Sequence, residues 1–176
     1  PVVINAIVQN AGQTCSAGSR VLIDELIYEP LLERLGKAFE ALRVGPAILD
    51  LDVGPLIRAS QQQRVWDFLS DAQVAGIPMV AQGQVVDEAP ETGYYQAPTL
   101  LRDVPVTHRL AQDEVFGPVL SAMSFRDEDH AVELANATKF GLVAGVWTRD
   151  GARQFRMARR VKSGQVFINN YGAGGG

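Results

Sequence analysis

The chain has 176 residues, of which 47% are apolar and 20% are charged, enough for one well-packed domain and too polar throughout for a membrane protein. Sixteen basic and 20 acidic residues give a net charge of −4, so no general attraction to nucleic acid or to a membrane surface is expected. One cysteine and two histidines exclude an internal disulfide and a usual structural zinc site, so no metal site is predicted. A free thiol suits a reducing compartment, here taken as the cytoplasm.

The spacing of apolar residues predicts four helices in chain order. The first covers residues 29–44, and the second begins near Ser60 as its N-cap and stops at Gly76. The third runs from Asp127 to about residue 141 and the fourth from Asp150 to about residue 164, each with an acidic N-cap and a glycine after it. An apolar segment without a helix assignment opens the chain.

Short apolar runs with β-branched residues between these helices predict buried strands. They lie at residues 21–23, 79–81, 97–101, 119–125, 143–147 and 166–168. Strands and helices alternate along most of the chain, which predicts an α/β fold of three αβα layers around a largely parallel sheet. We expect residues 1–176 to form a single domain of a longer polypeptide, because the sequence starts at Pro1 and ends in a glycine-rich tail.

Cys15 stands in the segment Asn-Ala-Gly-Gln-Thr-Cys-Ser-Ala-Gly-Ser-Arg at positions 10–20, among glycines and small residues. A loop of this composition leaves room for a ligand to approach the sulfur. A thiolate is the reactive form, and neighbouring backbone N–H groups could hold the oxyanion that forms when it attacks a carbonyl. A lone cysteine in an arbitrary protein is more often a small buried apolar residue, so its surroundings decide the interpretation.

A second unusual cluster is Glu-Val-Phe-Gly-Pro-Val at positions 114–119, directly before a predicted strand. The carboxylate of Glu114 could accept hydrogen bonds from ribose hydroxyls, and the ring of Phe116 offers a flat apolar contact for a ring such as nicotinamide. Spacing alone would favour an acid at a helix end beside a core phenylalanine.

Taken together, the segments at positions 10–20, 114–119, 141–142 and 164–169 resemble motifs of the aldehyde dehydrogenase superfamily, in order and in spacing. The resemblance implies the catalytic-domain fold of that family, with Cys15 as the nucleophile that forms a thiohemiacetal and then a thioester. It also implies NAD or NADP as cofactor, with Glu114 at the nicotinamide ribose and Phe116 at the nicotinamide end.

The same resemblance places Gln61 and Arg64 near the cofactor and loop 170–176 along the substrate channel. It assigns the general-base glutamate, the nucleotide-binding half and the oligomerisation strands to parts of the family's sequence upstream of or outside this chain. It implies a small-molecule aldehyde as substrate and a homo-oligomeric parent, a dimer or a tetramer. The chain by itself is therefore expected to be inactive.

Two other interpretations remain open. A cysteine-dependent acyltransferase or hydrolase would need a base, His108 or His130, to reach Cys15. A non-catalytic relative would keep the fold with an inert thiol, which slow alkylation at neutral pH would reveal. The fourth helix carries five cations that could suggest a phosphate-binding face, but a solvated face with cations near the helix C-terminus is the favoured interpretation; they are Arg153, Arg156, Arg159, Arg160 and Lys162.

Overall fold

The computed structural model describes residues 1–172. Its six α-helices are α1 (Val2–Val8), α2 (Tyr28–Glu40), α3 (Ala59–Val74), α4 (Arg109–Gln112), α5 (Glu128–Asn136) and α6 (Gly151–Arg160). Its eight strands are β1 (Arg20–Asp24), β2 (Arg43–Val44), β3 (Met79–Gln82), β4 (Gln84–Val85), β5 (Thr99–Leu101), β6 (Val119–Phe125), β7 (Val143–Val146) and β8 (Gln165–Ile168). Within residues 1–172, no helix has the length and apolar character that a membrane crossing requires.

The main sheet has four strands in the order β1-β6-β5-β3. β6 pairs in parallel with β1 and with β5, whereas β3 runs antiparallel to β5 at one edge. Two small parallel pairs, β2 with β4 and β7 with β8, stand beside it. The predicted α/β fold with a largely parallel sheet is therefore confirmed, with one antiparallel edge strand.

Helices cover both faces of the main sheet. Successive β6 side chains point to opposite faces, and each set packs in a different apolar cluster. Leu120 and Ala122 pack in one apolar cluster with α1 and α2, while Val119 and Met123 pack in the other with α3 and α4. A smaller third cluster joins α5 and α6 to β7 and β8. These layers place the loops that follow α1 and α4 next to each other.

In the first half of the chain the structure corrects two predicted helix boundaries and adds one helix. The helix predicted over residues 29–44 ends at Glu40, and residues 43 and 44 form β2 instead, so the buried Leu42 belongs to the connection between them. Ser60 is inside the first turn of α3, whose N-cap is Arg58. The apolar opening segment is itself a helix, α1, with Ile4 and Ile7 buried.

The acidic caps predicted for the last two long helices are present. Asp127 accepts a hydrogen bond from the backbone N–H of His130 at 2.8 Å, and Asp150 accepts one from that of Arg153 at 3.0 Å. This hydrogen bond is the main reason that the pKa of Asp150 lies below its usual value. Both helices are shorter than predicted, ending at Asn136 and Arg160, several residues before the glycines that follow them.

Candidate active site

Cys15 lies in an exposed turn between α1 and β1. The turn is closed by a hydrogen bond of 2.9 Å from the N–H of Ala17 to the carbonyl of Thr14. The backbone N–H groups of Thr14, Cys15 and Ser16 donate no hydrogen bond to any residue in the described range 1–172. The sulfur is therefore accessible, and unpaired N–H donors stand beside it, as an oxyanion would require.

The chain reaches this turn through three consecutive residues with left-handed backbone conformations. The φ angles are 50° at Asn10, 53° at Ala11 and 73° at Gly12. A non-glycine residue in this region costs roughly 1–2 kcal/mol, so the surrounding contacts must hold Asn10 and Ala11 in place.

Gly12 brings the cysteine turn against the second candidate cluster. A Cβ atom at position 12 would lie 2.3 Å from the carbonyl carbon and oxygen of Gly117 and 2.7 Å from the nitrogen of Pro118. No side chain fits into that space, so the glycine allows the two backbones to touch. The structure thereby brings together two motifs that the sequence separates by about a hundred residues.

Glu114, Val115 and Phe116 form the turn between α4 and β6, which we call the 114–116 turn. Val115 is buried in the core, Glu114 is exposed, and Phe116 is half-buried with φ at 59°. The two candidate cofactor residues thus flank a buried anchor. An exposed carboxylate and an accessible ring fit a ribose and a nicotinamide, respectively.

Gln61 and Arg64, on the first turns of α3, donate hydrogen bonds to the backbone of this turn. The Nε2 of Gln61 donates to the carbonyls of Val115 at 3.1 Å and Phe116 at 2.7 Å. The guanidinium of Arg64 donates to the carbonyls of Val115 and Glu114. The resemblance placed both residues near the cofactor, whereas the contacts that the structure shows are to the backbone of the 114–116 turn.

Tyr171 is a site residue that sequence analysis did not single out. Its hydroxyl donates to the carbonyl of Ser16 at 2.8 Å, and its ring stacks on Trp147 with centroids 6.3 Å apart. Burial raises the pKa of the Tyr171 phenol. No local signal marks such a bond, because the partners are remote in sequence. Of loop 170–176, expected along the substrate channel, residues 173–176 lie outside the described range.

Each of the two histidines accepts a backbone hydrogen bond near the start of a helix, His108 at α4 and His130 at α5. Nδ1 of His108 accepts a hydrogen bond from the N–H of Leu110, and Nδ1 of His130 accepts one from that of Arg126. Among the hydrogen bonds of residues 1–172, none joins Cys15 to a histidine. The geometry therefore offers no support for a Cys-His hydrolase site.

The cations of α6 face α5. Arg156 forms a two-point ion pair with Glu128 at 2.7 and 2.8 Å, and Arg160 donates to Asp129 at 2.6 Å. Hydrogen bonding to Arg156 holds the pKa of Glu128 below its usual value. With Arg153, which lies 3.5 Å from Glu128, this network pairs three of the five cations of the predicted helix with carboxylates of α5. Within residues 1–172, no group of three His, Cys, Asp or Glu side chains could hold a metal ion.

Comparison with known proteins agrees with the resemblance. The family model described as the aldehyde dehydrogenase family matches residues 1–175. Acetaldehyde dehydrogenase 2 of Cupriavidus necator is 39% identical over 167 residues, which are 93% of this chain and 33% of that protein.

Solved structures give the same result. A Burkholderia cenocepacia protein assigned to the aldehyde dehydrogenases is 74% identical, with a TM-score of 0.98 over 100% of this chain and 37% of its own. The NAD+ complex of the Bacillus cereus aldehyde dehydrogenase is 32% identical, with a TM-score of 0.91 over 99% of this chain and 35% of its own. This chain spans about a third of the length of the relatives that it matches.

Proposed function

This chain belongs to the aldehyde dehydrogenase family, and we propose that it is the cysteine-bearing catalytic domain of an enzyme that oxidises an aldehyde to a carboxylic acid with NAD or NADP. The observation that carries the proposal is the close backbone contact of Gly12, just before the exposed Cys15 turn, with Gly117 and Pro118, which directly follow the 114–116 turn.

The proposed reaction begins at the sulfur of Cys15. The thiolate adds to the carbonyl carbon of the aldehyde, so that a C–S bond forms and the carbonyl oxygen takes up the electron pair. The N–H of Cys15, which has no partner in the described residues, would donate to this oxygen. The product of this step is a thiohemiacetal on Cys15.

The 114–116 turn supplies the other half of the proposed site. The Glu114 carboxylate would hold the ribose hydroxyls, and the Phe116 ring would contact the nicotinamide end. When bound, the nicotinamide takes up the hydrogen and the two electrons that leave the thiohemiacetal carbon. Cys15 then carries a thioester, which water cleaves to the acid and the free thiol. The resemblance assigns the base for that water to a glutamate outside this chain.

Substitution of Cys15 in the full-length protein tests the proposal. Cys15→Ser and Cys15→Ala remove the nucleophile with little change in volume, and we expect oxidation to fall by at least about 10³-fold. Ser16→Ala is the matched control in the same turn, because the contact that Ser16 makes is through its backbone carbonyl. Near-normal oxidation by a folded Cys15→Ser protein would exclude the proposed role of the thiol.

A further inference from the structure

Gln13, two residues before the candidate nucleophile, joins the cysteine turn to a remote segment. Its Oε1 accepts a hydrogen bond of 2.9 Å from the backbone N–H of Ile57, 44 positions away. Its Nε2 donates to the carbonyl of Asn10 at 3.1 Å, and the side chain of Asn10 donates back to the carbonyl of Gln13 at 2.9 Å. One side chain thus braces the left-handed stretch and connects it to residue 57.

The segment after Ile57 leads into α3, which carries Gln61 and Arg64. Those two residues hold the carbonyls of the 114–116 turn. Two sets of hydrogen bonds, joined by the covalent chain from Ile57 into α3, therefore link Gln13 to the 114–116 turn. The contact between Gly12 and Gly117 is a second connection between the same two segments.

The strain before Cys15 explains why such a brace is needed. Ala11 occupies a left-handed conformation that its side chain disfavours and that persists only where other contacts impose it, whereas asparagine, as at Asn10, adopts this conformation more readily. Ile57 is 78% exposed while its neighbour Leu56 is buried in the core, so the hydrogen bond to Gln13 is the contact that joins residue 57 to the cysteine turn. Loss of the Gln13 contacts would let the strained stretch relax and shift Cys15 relative to the 114–116 turn.

We propose that Gln13 is a positioning residue that sets Cys15 at its working distance from the Glu114 and Phe116 side chains. This inference rests on the proposed function, since it concerns the oxidation step. Gln13 acts through the backbone of the cysteine turn and through Ile57. It therefore governs the rate of oxidation more than the affinity for the cofactor.

The test compares three variants of the full-length protein. Gln13→Met keeps the side-chain length and removes both hydrogen bonds, whereas Gln13→Glu keeps the acceptor for Ile57 and loses the donor to Asn10. Gln63→Met is the matched control, because Gln63 is exposed and donates within its own helix, to Asp67. The readouts are kcat, KM for the cofactor, the isotope effect with deuterated aldehyde, and hydrogen exchange of the Ile57 amide.

For Gln13→Met we expect kcat to fall roughly 10- to 100-fold with little change in cofactor KM, and the isotope effect to rise as the oxidation step becomes limiting. The Ile57 amide should exchange about fivefold faster or more, the factor that corresponds to one typical hydrogen bond. Gln13→Glu should keep the Ile57 protection and recover part of the rate, and the control should match the wild type in every readout.

Two results would overturn the inference. Unchanged Ile57 exchange in Gln13→Met would show that the bond does not form in solution. An unchanged kcat and isotope effect despite faster exchange would show that the bond does not position Cys15. Both differ from failure of the proposed function, in which the wild-type protein itself oxidises no aldehyde with either NAD or NADP and the positioning role falls with it.

Discussion

Replacing Gly12 by alanine should separate the cysteine turn from the 114–116 turn. The new Cβ would lie 2.3 Å from the Gly117 carbonyl, whereas ordinary contact begins at 3.4 Å, so the backbones must move apart by 3.4 − 2.3 = 1.1 Å. The obstructing atoms belong to backbone and cannot rotate away. Overpacking of this kind costs about 1–3 kcal/mol, and the φ of 73° adds roughly 1–2 kcal/mol.

A shift of about 1 Å between nucleophile and cofactor residues should lower kcat roughly 100-fold in the full-length protein. Gly76→Ala is the matched control, because Gly76 has a φ of 69° and no atom within 4 Å of its Cβ position. It carries the conformational cost without the collision. Denaturant unfolding and steady-state kinetics of both variants separate the cost of the backbone conformation from the effect of the steric collision. Equal losses of stability in the two variants, or an unchanged kcat in Gly12→Ala, would show that the collision at position 12 does not displace the cysteine turn.

The remaining predictions concern three other residues or properties. Glu114→Gln should slow oxidation while esterase activity at Cys15 survives, because ester cleavage needs no nicotinamide; equal losses of both activities would contradict the assigned role. The isolated 176-residue chain should show no saturable calorimetric binding of NAD or NADP at micromolar concentration, since one carboxylate and one ring cannot offset the several kcal/mol cost of association; a saturable signal would show a self-contained site. Burial raises the pKa of Tyr28 from 10.0 to about 12, so the unfolded phenol ionises first and the free energy of unfolding falls as the pH rises between these values. Tyr28→Phe should remove that part of the fall in denaturant titrations, and an identical pH dependence would contradict it.

Elements with a long apolar run or a regular apolar spacing could be predicted from sequence, and elements of two residues could not. The pattern of residues 119–125 gave β6 with its observed bounds, because this strand is buried on both faces. β2 and β4 have two residues each, too few for any periodicity. α1 escaped prediction because its first residues are β-branched and it has no side-chain N-cap.

The candidate site divides in the same way. Cys15, Glu114 and Phe116 could be selected from local motifs, since their neighbours carry the signal. The left-handed conformations of Asn10, Ala11 and Phe116 could not, because non-glycine residues adopt them only under tertiary constraint. The bonds of Gln13 to Ile57 and of Tyr171 to Ser16 join positions far apart in sequence, so only the folded chain reveals them.

Identification of the covalent intermediate tests the central claim most directly. The full-length protein is mixed with an aldehyde and NAD or NADP, quenched with acid within a single turnover, digested and analysed by mass spectrometry. We expect the acyl group to be attached to the peptide containing Cys15 and to be absent from the Cys15→Ser protein. Oxidation that proceeds with no acyl group on Cys15, or with one on another residue, would contradict this expectation.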